Sequence, residues 1–183
     1  YILRHYLQRT SQTTRYMDSI WNNVAGLLMD DTDLKILKML RDNSRESLGK
    51  ISEVLGISKA TVSRRLARIE QEGYITGYTT ITNPGKLGVM KGIISLEIMG
   101  TAVNAVIEQL RSFKEIESVM RVFGDHGLIC IAYSRSVDSL YELIQNQILN
   151  IPNVHNVEVD IVIDRMIINP NAELDMSKAP GIR

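Results

Sequence analysis

The 183-residue sequence predicts an α+β fold, with helices in its first half and a ferredoxin-like βαββαβ order in its second half. Between about residues 31 and 72, apolar residues recur at helical spacing. From residue 89 onward, patterns typical of strands alternate with patterns typical of helices. The charges divide at nearly the same place. Through Lys86 there are 13 basic and 9 acidic residues, and after it 8 and 12. A basic half therefore precedes an acidic half, although the whole chain carries no formal net charge.

Residues 1–28 are interpreted as an N-terminal extension with an amphipathic helix. Its apolar stripe consists of Ile20, Trp21, Val24, Leu27 and Leu28. We expect this stripe to pack on its own domain or on a dimer partner. A helix lying on a membrane surface is the alternative, which the small number of basic residues disfavours.

Residues 29–73 are predicted to form a helix-turn-helix domain of three helices. The first begins where Asp30, Asp31 and Asp33 complement the helix dipole, and it ends at Asn43 and Ser44. The second repeats the apolar residues Leu48, Ile51, Val54 and Leu55, and Gly56 forces the turn after it. Ser58 is the predicted N-cap of the third helix and Gly73 its terminal glycine.

The third helix has one apolar and one basic side. Val62, Leu66 and Ile69 form the buried stripe, and no acidic residue occurs from Ser58 to Ile69. The outward face is small, hydroxylated and basic, which suits the major groove of DNA. The alternative is an ordinary amphipathic helix with a solvated basic face. The residues on or flanking the outward face are Ala60, Thr61, Ser63, Arg64, Ala67 and Arg68, with Arg65 nearer the edge of the stripe.

Residues 74–88 read as a strand followed by a linker, and residues 89–168 as the second domain. Tyr74 to Thr82 is rich in β-branched and aromatic residues, and Asn83-Pro84-Gly85 predicts a turn. The tail, residues 169–183, is expected to be loose. Predicted strands cover 90–98, 116–123, 128–134 and 157–163, with a helix from Val103 to Phe113 and another between Ser136 and Ile148.

In this order, these elements resemble the Lrp/AsnC (feast/famine) transcriptional regulators. Asp30 to Leu37 is similar to the opening helix of that family, and Leu55 to Ser58 with the third helix is similar to its helix-turn-helix. Glu72 to Tyr78 resembles the segment that leaves the recognition helix, and Gly124-Asp125 resembles a turn of the effector domain. The resemblance covers about residues 30–168.

The resemblance implies a cytoplasmic regulator that binds double-stranded DNA and pairs with itself into dimers, in many members octamers. It also implies an amino-acid effector near the turn formed by Gly124, Asp125, His126 and Gly127. Effector-binding members commonly carry Gly-Asp-aromatic-Asp there, so this turn lacks the aromatic and the second acid. A simple hairpin turn is the alternative. The expected DNA contacts are Ser58, Lys59, Thr61, Ser63, Arg64, Arg65 and Arg68.

Other functions find little support in the sequence. The single cysteine, Cys130, lies in an apolar run and reads as a buried thiol, and the three histidines stand far apart, so we expect no metal site. Motifs for catalysis or for a cofactor are not recognised, and neither is a membrane span. The remaining alternatives are an architectural, weakly specific DNA-compacting protein and an enzyme or enzyme subunit built on the βαββαβ domain.

Overall fold

A computed structural model describes residues 29–99, 102–122 and 127–177. This part of the chain divides into two compact units. Unit 1 consists of the residues up to Thr79 together with those from Ile168 onward, and unit 2 is Thr80–Ile167. The predicted stripe from Ile20 to Leu28 lies outside the described residues.

Unit 1 contains the three predicted helices: α1 (Asp31–Asp42), α2 (Leu48–Leu55) and α3 (Lys59–Gln71). Each begins at a side chain that accepts a backbone N–H of its first turn. These N-caps are Asp30, Ser47 and Ser58. The helices pack around a small apolar core because each contributes one side of a helical stripe. Its buried members are Ile36, Leu40, Ile51, Val62 and Ile69.

The segment after α3 is not a strand, so that prediction was wrong. Residues 75–83 have no regular secondary structure, and nearly all side chains from Tyr74 to Thr82 are exposed. A strand is stable only when a neighbouring strand pairs with its backbone groups, and the described part of unit 1 offers none. A short 3-10 helix, Gly85–Leu87, follows where the linker turn was expected.

The tail also differs from its prediction. Residues 172–176 form a short helix, α6 (Ala172–Met176), where a loose segment was expected. Opposite charges hold it against α1: Lys38 contacts Asp175 and Arg41 contacts Glu173. No local pattern predicts this contact, because its partners are more than 130 positions apart.

Unit 2 has the predicted βαββαβ order, and its antiparallel sheet confirms the ferredoxin-like arrangement. The strands stand in the order β2-β3-β1-β4. Several ends differ from prediction: β2 stops at Arg121, β4 runs from Val154 to Val162, and the helix predicted from Val103 to Phe113 stops at Leu110. The elements are β1 (Met90–Ile98), α4 (Val103–Leu110), β2 (Ile116–Arg121), β3 (Leu128–Ser134), α5 (Val137–Asn146) and β4 (Val154–Val162).

One face of this sheet packs under α4 and α5. There Ile94 and Leu96 of β1 and Cys130 of β3 are fully buried against both helices. The cross-strand register assigns the alternate residues to the opposite side, which we call the open face. Its residues are Lys91, Ile93, Ser95, Ser118, Met120, Ile129, Ile131, Tyr133, Glu158 and Asp160.

Candidate nucleic-acid interface

The turn between α2 and α3 is fixed by one glycine and one serine. Gly56 has φ 67° and ψ 29°, a left-handed conformation that glycine adopts without steric cost. The Ile57 N–H donates to the Ser52 carbonyl at 3.2 Å, and the Ser52 hydroxyl donates to the Ile57 carbonyl at 2.6 Å. These two bonds close the turn from both sides. They hold the start of α3 in place relative to α2.

The outward face of α3 is exposed as the sequence predicted. Ser63, Arg64, Ala67 and Arg68 are exposed, whereas Val62 and Ile69 are fully buried on the other side. At the start of the helix, Ser58 Oγ accepts the Thr61 N–H at 3.1 Å and lies 2.9 Å from the Thr61 hydroxyl. Both hydroxyl groups thus stand at the helix N-terminus, where backbone N–H groups and the dipole favour a phosphate.

Arg65 and Arg68 do not point freely outward. Arg65 Nη1 lies 2.6 Å from Asp30 Oδ2 and 2.9 Å from Asp33 Oδ1, and Arg68 Nη2 contacts Asp33 Oδ2. The two carboxylates belong to the start of α1, more than 30 positions earlier in the chain. We call this group of four residues the α1–α3 lock. It joins α3 to α1 by charge as well as by apolar packing.

Asp33 is the centre of the lock. Its side chain is fully buried, and its oxygens receive the Asp30 N–H at 3.2 Å in addition to the two guanidinium groups. A buried carboxylate is tolerated only when donors satisfy it in this way. Burial acts to raise the pKa of Asp30, but the Asp33 backbone N–H and the Arg65 guanidinium outweigh it and hold that pKa below its ordinary value. The carboxylates in turn raise the pKa of Arg65 and of Arg68.

Two basic side chains of α3 remain without an acidic partner within the described residues. Arg64 is exposed on the outward face, and Lys59 is exposed in the first turn. A Cβ placed on Gly49 would stand 3.2 Å from Lys59 Cε, so this lysine extends across the glycine at the start of α2. The free positive charge of the interface therefore lies at Lys59 and Arg64. It is smaller than the four basic residues of the helix suggest.

The predicted effector turn is described only at its end. Residues 123–126, which include Gly124, Asp125 and His126, lie outside the described part of the chain. Gly127 donates its N–H to the Leu96 carbonyl at 3.0 Å, and its carbonyl accepts the Val122 N–H at 3.2 Å. Gly127 therefore closes the β2–β3 hairpin beside β1.

The described residues form neither a metal site nor a membrane-spanning helix. Within them, no group of histidine, cysteine and acidic side chains is arranged to hold a metal ion. Nor does any helix of the described ranges have the length and hydropathy to cross a membrane. Cys130 is buried as predicted, and desolvation raises the pKa of its thiol to about 11.

Comparison with protein families identifies both halves of the chain. Residues 29–76 match a winged helix-turn-helix DNA-binding model, and residues 92–172 match the Lrp/AsnC ligand-binding domain. The HTH-type transcriptional regulator Ptr1 of Methanocaldococcus jannaschii is 33% identical over 137 residues, 74% of this chain and 93% of that protein. The chain belongs to the Lrp/AsnC family. The resemblance inferred from the sequence is thereby confirmed.

Solved structures of Lrp/AsnC proteins share the fold. AsnC of Escherichia coli aligns with a TM-score of 0.70 at 25% identity, covering 78% of this chain and 97% of its own. A transcriptional regulator of Neisseria meningitidis, solved in complex with L-Met, aligns with a TM-score of 0.71 at 22% identity and covers 80% and 99%. The second likeness shows the fold alone.

Sequence reasoning missed the role of Asp33. The pattern assigned Asp30, Asp31 and Asp33 to the helix dipole, although only Asp33 is buried. One local pattern in the sequence does indicate this role. An aspartate three positions after an aspartate N-cap forms a capping box, which turns its carboxylate back toward the helix start. Arg65, at the edge of the apolar stripe of α3, is then a candidate partner for this carboxylate.

Proposed function

We propose that this Lrp/AsnC protein is a sequence-specific transcriptional regulator that binds double-stranded DNA with the outward face of α3. The observation that carries the proposal is an exposed helix face with unpaired positive charge at Lys59 and Arg64, on a helix fixed in place by the α1–α3 lock. A rigid helix that presents small side chains and a free guanidinium fits the major groove. Its relatives are HTH-type transcriptional regulators.

The seven candidate DNA contacts take different parts in this proposal. Arg64 reads a base edge or grips a phosphate, and Lys59 binds a phosphate as a flexible point charge. The hydroxyls of Ser58, Thr61 and Ser63 donate to phosphates or bases. Arg65 positions the helix through its two carboxylate partners. Arg68, whose side chain is 44% exposed, combines both tasks, since part of its guanidinium faces solvent.

Self-association through the open face is the second part of the proposal. Ile93, Ile129, Ile131 and Met120 form an apolar strip there, edged by charged residues, and no element of the described part of unit 2 covers it. Two sheets stacked face to face would remove this strip from water. A two-fold dimer, or an octamer made of four such dimers, then presents recognition helices to half-sites about one DNA turn apart.

An amino acid or a related small molecule is the proposed effector. The match of residues 92–172 to the Lrp/AsnC ligand-binding domain supports a small-molecule ligand, and the resemblance to effector-binding members of the family favours an amino acid. Its site is the turn from Gly124 to Gly127, with Asp125 receiving the ammonium group. The proposed location is the cytoplasm, as the resemblance to archaeal and bacterial regulators of this family implies.

Selection of genomic fragments by the purified protein, with and without a mixture of amino acids, tests this function. A sequence-specific regulator enriches a small set of fragments. At physiological salt, its affinity for these fragments exceeds its affinity for bulk genomic DNA by a factor on the order of a thousand or more. A preference below about tenfold together with a steep salt dependence would instead favour the architectural alternative. An unchanged fragment set and affinity in the presence of amino acids would remove the effector from the proposal.

A further inference from the structure

The chain passes between the two units twice. It leaves unit 1 after Thr79 and returns to it at Ile168, so the DNA-binding unit contains both the three helices and the short helix α6. The first passage is an extended, exposed segment without regular structure. A unit joined by such a segment alone has many allowed orientations, and a second attachment reduces their number.

The second attachment consists of two ion pairs between α1 and α6. Lys38 Nζ lies 2.6 Å from Asp175 Oδ1, and Arg41 Nη2 lies 2.9 Å from Glu173 Oε2. Lys38 and Arg41 are three positions apart on α1 and therefore share one face of it. The Asn169 amide also donates to Asp175 Oδ2 at 3.2 Å, which orients the carboxylate. We call Lys38, Arg41, Glu173 and Asp175 the C-terminal clasp.

The clasp is weak enough to open. The side chains of its two pairs are between 33% and 77% exposed, and ion pairs of this kind each stabilise the closed form only about one- to fivefold. Salt screens them further, with a Debye length of about 10 Å at 0.1 M. The two pairs together favour the closed form of the clasp by a modest factor, so the open form is also populated. Removing their charges should therefore open the clasp without unfolding either unit.

We propose that the clasp determines which spacing between two DNA half-sites the protein accepts. This inference rests on the proposed function, because it requires two DNA-binding units in one assembly. When the clasp is closed, each unit is held by two passages, and the assembly meets half-sites at one separation. When it is open, each unit moves on a single flexible segment and accepts a wider range of separations. Its affinity at the best separation falls, because the effective concentration of the second unit is lower.

The test uses full-length protein and DNA with two selected half-sites at the natural separation and at separations changed by a few base pairs. In the variant E173Q with D175N, affinity at the natural separation should fall about threefold to tenfold, and the profile against separation should flatten. Affinity for a single half-site should stay the same. Hydrogen exchange of residues 168–177 without DNA should become faster in this variant, which reports opening of the clasp directly.

Two further variants serve as controls. D42N with E142Q removes two exposed acidic charges elsewhere and should keep the wild-type profile. The swap K38E with D175K exchanges the charges of one pair and should restore much of the spacing preference that K38E alone loses. An open clasp with an unchanged spacing profile would overturn the inference, as would an equal effect of D42N with E142Q. If the wild type instead shows no preference for any half-site, the proposed function fails, while the exchange measurement still reports on the clasp.

Discussion

Replacing Asp33 with Asn should loosen the DNA-binding unit, because it removes the charge on which the α1–α3 lock depends. The carboxylate is fully buried and accepts hydrogen bonds from Arg65, Arg68 and the Asp30 backbone. Asn keeps the size of the side chain. It presents an amide nitrogen toward one guanidinium, however, and so leaves a buried donor facing a donor.

The expected cost can be bounded from the structure. Breaking a buried ion pair by removing one partner costs about 3–5 kcal/mol when the remaining charge stays buried. Here the remaining Arg65 and Arg68 are 28% and 44% exposed, so both can regain water, and Arg65 keeps Asp30 at 2.6 Å. We therefore expect a loss of about 2–3 kcal/mol, below most of that range. This corresponds to a reduction in hydrogen-exchange protection of roughly 30- to 150-fold.

Hydrogen exchange measured by mass spectrometry separates the two units in one experiment. In Asp33→Asn, peptides from α1 and α3 should exchange faster, whereas peptides from β1 and β3 in unit 2 should not change. Asp42→Asn, at the exposed end of α1, is the matched control and should behave as wild type. Freed from Asp33, the two arginines should also strengthen non-specific DNA binding at low salt. Unchanged protection of α1 and α3 would show that the buried carboxylate does not hold them together.

Three other outcomes follow from single residues. Cys130 is buried and its pKa is raised to about 11, so a thiol reagent at pH 8 should label it only after unfolding; rapid labelling of the native protein would contradict this burial. Partial desolvation, followed by the hydrogen bond that its hydroxyl donates to Glu70, raises the pKa of Tyr78 to about 12, although the side chain as a whole is 53% exposed. Its neutral hydroxyl therefore contributes stability below pH 10 that is lost as the pH rises through about 12. An absorbance titration of Tyr78→Phe should lose the ionisation of one tyrosine near pH 12, and an unchanged titration curve at that pH would contradict the shift. Asp125→Ala should abolish amino-acid binding in calorimetry; full affinity in this variant would exclude the turn as the effector site.

Most of the fold could be predicted because its signals are local. The end of α2 follows from Gly56, which adopts the left-handed conformation, and the start of α3 follows from Ser58, whose side chain caps the helix. The strands β1 and β3 follow from short, mainly apolar runs of a length typical of strands, and β4 follows from the alternation of Val157, Val159 and Ile161. The predicted strand at Tyr74 failed for the opposite reason. Its composition favours a strand, but a strand also needs a partner, which local sequence does not reveal.

The sequence predicts which side of α3 is exposed, but it does not predict which basic side chains of that helix are paired with acidic residues. Helical periodicity placed Arg64 and Arg68 on the exposed side of α3 correctly. Which basic residues are free depends on acidic residues more than 30 positions away, and the contact of α6 with α1 depends on residues more than 130 positions away. Pairings over such distances are set by the tertiary structure. A pattern within one helix therefore cannot distinguish Arg65 from Arg64, which has no acidic partner among the described residues.

Binding of Arg64→Ala to a fragment selected by the wild-type protein tests the central claim most directly. The claim is that α3 binds DNA with its outward face. We expect Arg64→Ala to lose about 1–3 kcal/mol of binding free energy, or roughly 5- to 150-fold in affinity, while the oligomeric state is unchanged. Arg135→Ala, the same substitution at an exposed position of unit 2, should bind as wild type does. Equal affinity of Arg64→Ala and wild type for the selected fragment would contradict the assignment of α3 as the recognition helix.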